Sequence, residues 1–144
     1  MDNNVMANLT VRDMMTENPA SVAPESTLAN VFELMETHSI RHVPVVRADG
    51  ELVGLVSQRD LAAATLGPAE VPLSEREQML EDIPVEEIVV RGVETVDPDT
   101  DIVAAASMML ENKLGCLLVT DSSELVGILT EADFVRYVCE HPRA

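Results

Sequence analysis

Ten residues are written almost twice in this chain: ELVGLVSQRD at 51–60 and ELVGILTEAD at 124–133. Glu, Leu, Val, Gly and the closing Asp are shared, and Ser57 becomes Thr130, a change that keeps the hydroxyl. The copies stand 73 residues apart. Upstream, an offset of 74 pairs Val22 with Val96, Pro24 with Pro98, Met35 with Met109 and Val45 with Val119. The one-residue difference falls in a turn, where RADGE at 47–51 answers to the shorter DSSE at 121–124. A length change confined to a turn is what two copies of one folding unit tolerate. The chain must therefore solve one folding problem twice.

Each copy predicts the same elements. VAPESTL and VDPDTDI each give a short strand end, a Pro and an N-cap hydroxyl, Ser26 or Thr100. Leu28, Val31, Phe32 and Met35 then recur at helical spacing, as do Ile102, Ala105, Ala106 and Met109. HVPVV and ELVGLV, joined through Asp49-Gly50, read as a hairpin, and CLLVT with ELVGIL repeats it. A second helix follows, from Gln58 to a stop at Gly67-Pro68 and again from Glu131 to Cys139. The expected fold class is α+β: two β-α-β-β-α repeats, at 9–67 and 83–140, packed with pseudo-two-fold symmetry. Each covers only about 55 residues, too few to bury much core alone. Residues 68–82 form an acidic linker in which SEREQ reads as a capping box, Ser74 at the N-cap and Glu77 at N3.

Composition narrows the partners. Of 144 residues 47% are apolar, enough for a core, while aromatics are 2%, so Val, Leu, Ile, Ala and Met must fill it. A net charge of −17 on nine basic residues argues against nucleic acid or an anionic membrane as partner. No apolar run nears the ~18 residues of a membrane span. MDNNVMANLT lacks the basic start and apolar stretch of a signal peptide. Cys116 and Cys139 are too few for a disulfide framework or a zinc site. A cytoplasmic protein is expected.

A tandem repeat of this order, with HVPVV before the hairpin turn and Gly-x-x-[Ser/Thr]-x-x-Asp after it, resembles the CBS domain, named after cystathionine β-synthase. Two copies form a Bateman module, and the resemblance covers nearly the whole chain. It implies an adenosine-containing ligand, AMP, ADP, ATP or S-adenosylmethionine, in clefts between the copies, with occupancy regulating a partner protein. It also implies a homodimer, formed through second-helix faces such as Leu61, Ala62 and Leu66, and Phe134, Tyr137 and Val138. Carried over position by position, a primary nucleotide cleft joins Thr130 and Asp133 to Thr16, Ala20, Ile40, Arg41, His42, Val43 and Pro44. A second, weaker cleft joins Ser57 and Asp60 to Leu114, Gly115, Cys116 and Leu117. The second lacks a phosphate anchor from this strand, because Arg41-His42 becomes Gly115-Cys116.

These residue types suit that chemistry. A ribose offers two adjacent hydroxyl donors, and an ionised carboxylate is an acceptor only, so one Asp takes both. The Ser or Thr three residues earlier lies one helical turn away on the same face. Val and Ile can sandwich an adenine, and Arg41 supplies a fork of donors that matches phosphate. Ser57-Gln-Arg-Asp60 and Thr130-Glu-Ala-Asp133 equally satisfy the capping-box pattern, so the residues alone leave capping and ribose binding both open. Cys116, in the apolar LGCLLV, reads as a core thiol. No P-loop, Gly-rich dinucleotide turn, catalytic residue or metal-ligand cluster is legible, so an enzyme is not expected. The competing reading is a ligand-free dimerisation or protein-interaction module that keeps only the fold.

Overall fold

The structure is a computed structural model that describes residues 8–66 and 73–142. Gly67 and Pro68, the expected helix stop, lie outside the described residues. In chain order the elements are α1 (Val11–Met14), β1 (Thr16–Glu17), α2 (Leu28–His38), β2 (His42–Val46), β3 (Leu52–Ser57), α3 (Gln58–Leu66), α4 (Leu73–Asp82), β4 (Thr95–Val96), α5 (Ile102–Asn112), β5 (Cys116–Asp121), β6 (Glu124–Thr130) and α6 (Glu131–Glu140). A 3-10 turn, Val85–Glu87, precedes β4.

Two compact units form, and their borders are not those of the sequence repeats. Residues 20–93 make one unit; the segment up to Pro19 joins residues 94 onward in the other. We call them the first and second unit. The reason is an exchange of lead segments. In the second unit β1 pairs antiparallel with β6, Thr16 opposite Ile128. In the first unit Val90 makes the equivalent bridge to Leu55, with hydrogen bonds of 3.0 and 2.9 Å. Val11 N donates to Thr100 O at 2.9 Å, and its counterpart Val85 N donates to Ser26 O. Each repeat thus sends its opening turn to the unit that holds the other repeat's hairpin.

This exchange accounts for the glycine of the ten-residue echo. A Cβ on Gly54 would collide with the carbonyl oxygen of Val90, and one on Gly127 would come within 2.6 Å of Met15 Sδ and 3.0 Å of Thr16 O. Only a residue without a side chain lets the lead segment cross there.

Both expected hairpins form: β2 pairs with β3, and β5 with β6 inside the sheet β1-β6-β5-β4. Gly50 sits at φ 92 in the longer turn; Ser122 and Ser123 take positive φ in the shorter one, as a tight hairpin turn demands. The first unit's core gathers Leu28, Val31, Met35, Val43, Val45 and Val56; the second gathers Val11, Ile102, Ala105, Met109, Leu117 and Leu129.

Four expectations need correction. The N-caps are Thr27 and Asp101, one residue after those expected. Ser26 and Thr100 instead give their carbonyls to the arriving lead segments. Phe32 is 46% exposed, because the stripe of Leu28, Val31 and Met35 already fills the buried face of α2. Leu61 is core rather than surface. Helix α4 begins at Leu73, which leaves Ser74 inside its first turn rather than at the cap.

Candidate functional site

Both Ser/Thr-x-x-Asp motifs stand where a strand runs directly into a helix. β3 ends on Ser57 and α3 starts at Gln58; β6 ends on Thr130 and α6 starts at Glu131. Hairpin register sets His42 opposite Ser57, and Cys116 opposite Thr130. Gln58 N donates to Arg41 O at 2.8 Å, and Glu131 N to Gly115 O at 3.3 Å. Each motif therefore sits beside the strand start of its own hairpin, Arg41-His42 in the first unit and Gly115-Cys116 in the second.

At both junctions the Asp reaches back to cap its helix. Asp60 Oδ2 accepts from Ser57 N at 2.9 Å and from Ser57 Oγ at 2.8 Å. Asp133 Oδ2 accepts from Thr130 N at 2.8 Å, with Thr130 Oγ1 at 3.3 Å. A negative charge here also meets the positive end of the helix dipole. Capping is thus real at both ends, and what separates them is the other oxygen.

Asp133 Oδ1 accepts from Thr16 Oγ1 at 2.9 Å and from Arg136 Nη1 at 2.7 Å. With four donors on two oxygens, its acceptor capacity of about four lone-pair positions is full. The residue is only 2% exposed. Asp60 is half-buried, and among the described residues its Oδ1 accepts no hydrogen bond. Sequence explains the contrast. The first-repeat counterpart of Arg136 is Ala63, and the residue equivalent to Thr16 in the other lead segment is Val90. Arg136 was not singled out from the sequence, although the Ala63/Arg136 difference is visible once the echoes are extended by three residues.

The remaining sequence-selected residues divide between the units. Thr16, Thr130 and Asp133 come together in the second unit, where Leu114 and Gly115 are half-buried and Cys116 and Leu117 buried. Burial pushes the Cys116 thiol up from its ordinary 9.0 to about 12, which keeps it protonated and inert. In the first unit Arg41 is exposed, Ala20, Ile40 and His42 are half-buried, and Val43 and Pro44 are buried. Val43 belongs to that unit's own core, which leaves chiefly its backbone to meet a ligand.

A cavity of about 500 Å³ opens in the first unit beside the hairpin turn, bordered by Pro24, Glu25, Arg47, Asp49, Glu86 and Arg91 among others. None of the sequence-selected residues lines it, and its charges are of both signs. Among the described residues no group of three or more His, Cys, Asp or Glu is placed to hold a metal ion. No described helix is long and apolar enough to cross a membrane.

Comparison with known proteins agrees with the repeat. Residues 11–67 and 85–140 match the CBS domain. A homoserine O-acetyltransferase from Methanocorpusculum labreanum is 32% identical over 123 residues, which cover 85% of this chain but only 23% of that protein. The chain thus spans about a quarter of the length of that relative. Among solved structures, the AcuB protein of Vibrio cholerae aligns at 37% identity and a TM-score of 0.79, covering 92% of this chain and 91% of its own. CBSX2 in complex with AMP aligns at 27% identity and a TM-score of 0.78, covering 93% and 99%.

Proposed function

The chain belongs to the CBS domain family, and we propose from that premise that it is a regulatory module for an adenosine-containing ligand, AMP, ADP, ATP or S-adenosylmethionine, whose occupancy controls a partner protein. The repeats at 9–67 and 83–140 each supply a candidate ribose acceptor at a helix start, Asp60 with Ser57 and Asp133 with Thr130, and at least one of the two takes the ligand. Thr16, Ala20, Ile40–Pro44 and Leu114–Leu117 are the strand-side residues proposed around these acceptors. One observation carries the reading. In the first unit a carboxylate oxygen without a donor, Asp60 Oδ1, stands at a helix start held to the exposed Arg41 by a 2.8 Å backbone bond. A ribose diol and a phosphate need an acceptor and a cation of this kind. That a structural relative holds AMP supports the same ligand class.

A second reading has its own support. Capping alone gives both Asp residues a structural role, and α6 presents Val135 and Val138, which are 64% and 62% exposed. An apolar helix face of this kind suits a homodimer or another protein partner. Phe134 and Tyr137, by contrast, pack against their own core.

A thermal-shift screen with AMP, ADP, ATP, S-adenosylmethionine and adenosine separates the two, followed by calorimetry on any ligand that stabilises. Arg41→Ala should weaken AMP by roughly tenfold to a hundredfold, as expected for a hydrogen bond to a charged group, and adenosine far less. No stabilisation by any of the five leaves the interaction module as the function.

A further inference from the structure

The two carboxylates that the family reading treats alike have different hydrogen-bond partners, and the cause lies in this chain's own side chains. We propose that Arg136 is a built-in occupant of Asp133: it fills the acceptor position a ribose would use and shuts that end to nucleosides, so that Asp60 is the chain's open ribose acceptor. The inference rests on the adenosine-binding reading and reverses the order of the two clefts that sequence pattern alone suggests.

Arg136 stands three residues after Asp133 on α6, close enough for its Nη1 to lie 2.7 Å from Oδ1. Residues at this spacing share a helix face, so the pair forms without any rearrangement of the backbone. Thr16 Oγ1 holds the same oxygen from the other side at 2.9 Å, and Oδ2 is spent on the cap. A ribose diol arriving at Asp133 must displace at least the guanidinium, exchanging an ion pair for hydrogen bonds from neutral hydroxyls. Displacement is mechanically open, since the Arg136 side chain is 53% exposed and can turn outward. At Asp60 the obstacle does not exist. Ala63 occupies the position three residues on, Val90 the position of Thr16, and Oδ1 waits without a donor among the described residues. Even if capping uses Oδ2 throughout, Oδ1 can take both hydroxyls of a diol.

The test is calorimetric titration with adenosine, chosen over AMP because a freed Arg136 could follow a phosphate and hide the gain. The proteins are the wild type, Asp60→Asn, Asp133→Asn, Arg136→Ala and Ala63→Arg. Arg136→Met, which keeps the apolar stem, serves if circular dichroism shows the alanine variant misfolded. The expected pattern has four parts. Wild type binds adenosine at a single site per chain, and Asp60→Asn abolishes it while Asp133→Asn does not. Arg136→Ala gains a second site, at least about tenfold tighter than any residual binding there. Ala63→Arg, by building the same pair at Asp60, loses the first. Binding that disappears in Asp133→Asn, or that Arg136→Ala and Arg136→Met leave unchanged, overturns the role of Arg136 and leaves nucleoside binding standing. Adenosine heats absent from every variant overturn both.

Discussion

Asp60 caps α3 with one oxygen and leaves the other unused, whereas Asp133 caps α6 and gives its second oxygen to Thr16 and Arg136. The two units are otherwise built to one plan, down to the glycine under each crossing lead segment. What they share is therefore what the fold needs: a strand that runs into a capped helix, and room for a neighbouring backbone. What they do not share is side chains, Ala63 against Arg136 and Val90 against Thr16, carried on a backbone that keeps the same cap and the same crossing. Duplication has kept the backbone solution and released the side chains around it, and those side chains set what each carboxylate can accept.

The largest expected effect concerns the strand starts, where His42 in one unit answers to Cys116 in the other. Raising the Cys116 thiol from 9.0 to about 12 lowers its thiolate population by about a thousandfold, and the thiolate is the reactive species. Cys139 is exposed. In native protein a thiol-disulfide reagent should label Cys139 rapidly and reach Cys116 only after denaturation; labelling at comparable rates would show that the second unit's strand start opens freely. The raised thiol also fixes a sign. Its contribution to stability is complete below the unfolded-state value near 9 and is lost as pH rises toward about 12. Cys116→Ala should flatten the alkaline loss of stability over that window, measured by urea unfolding at stepped pH.

Next comes the pair of crossing glycines. At Gly54 the obstruction is backbone, the Val90 carbonyl, which cannot step aside. At Gly127 the nearest atom is the thioether of Met15, a side chain that adapts easily. Gly54→Ala should cost about 3 kcal/mol or more and Gly127→Ala about 1–2 kcal/mol, by urea midpoints. Equal costs would mean that the lead segment of the first unit can shift as readily as that of the second.

Sequence carried the fold further than it carried the site, for a physical reason. The ten-residue echo, the hairpin periodicity and the Asp49-Gly50 turn are local signals, and each translated into the element it predicts. The exchange of lead segments is a long-range pairing between Thr16 and Ile128 and between Leu55 and Val90. No periodicity records it, so the repeats were legible while the unit borders were not. The same blindness moved the helix caps by one residue, since Ser26 and Thr100 look free until the lead segments claim their carbonyls. At the site, Ser57, Asp60, Thr130 and Asp133 stand out because a motif repeats them. Arg136 repeats nothing, and its importance comes from an ion pair that only the folded helix start brings within 2.7 Å.

The smallest effect tests the contribution of Thr16 alone. Thr16→Val keeps the β-branched shape and removes the hydroxyl that donates to Asp133 Oδ1 at 2.9 Å. Thr16 is exposed and Arg136 still neutralises the carboxylate, so water can take the vacant place. The cost should be about 0.5–1 kcal/mol, below the roughly 1.5–3 kcal/mol of a hydrogen bond to a charged group, because water replaces the lost donor. The reciprocal change, Val90→Thr, places a hydroxyl at the equivalent point of the first unit, where Val90 is 46% exposed and pairs with Leu55. Because Asp60 Oδ1 has no donor among the described residues, that variant should be neutral or stabilised by up to about 0.5 kcal/mol. Urea unfolding of both single variants and the double swap reads the result. If Thr16→Val costs nothing measurable, the crossing hydroxyl is a bystander and the difference between the units rests on Arg136 alone. If Val90→Thr instead destabilises, Asp60 Oδ1 is already satisfied in solution by ordered water, and a ribose entering there must displace it.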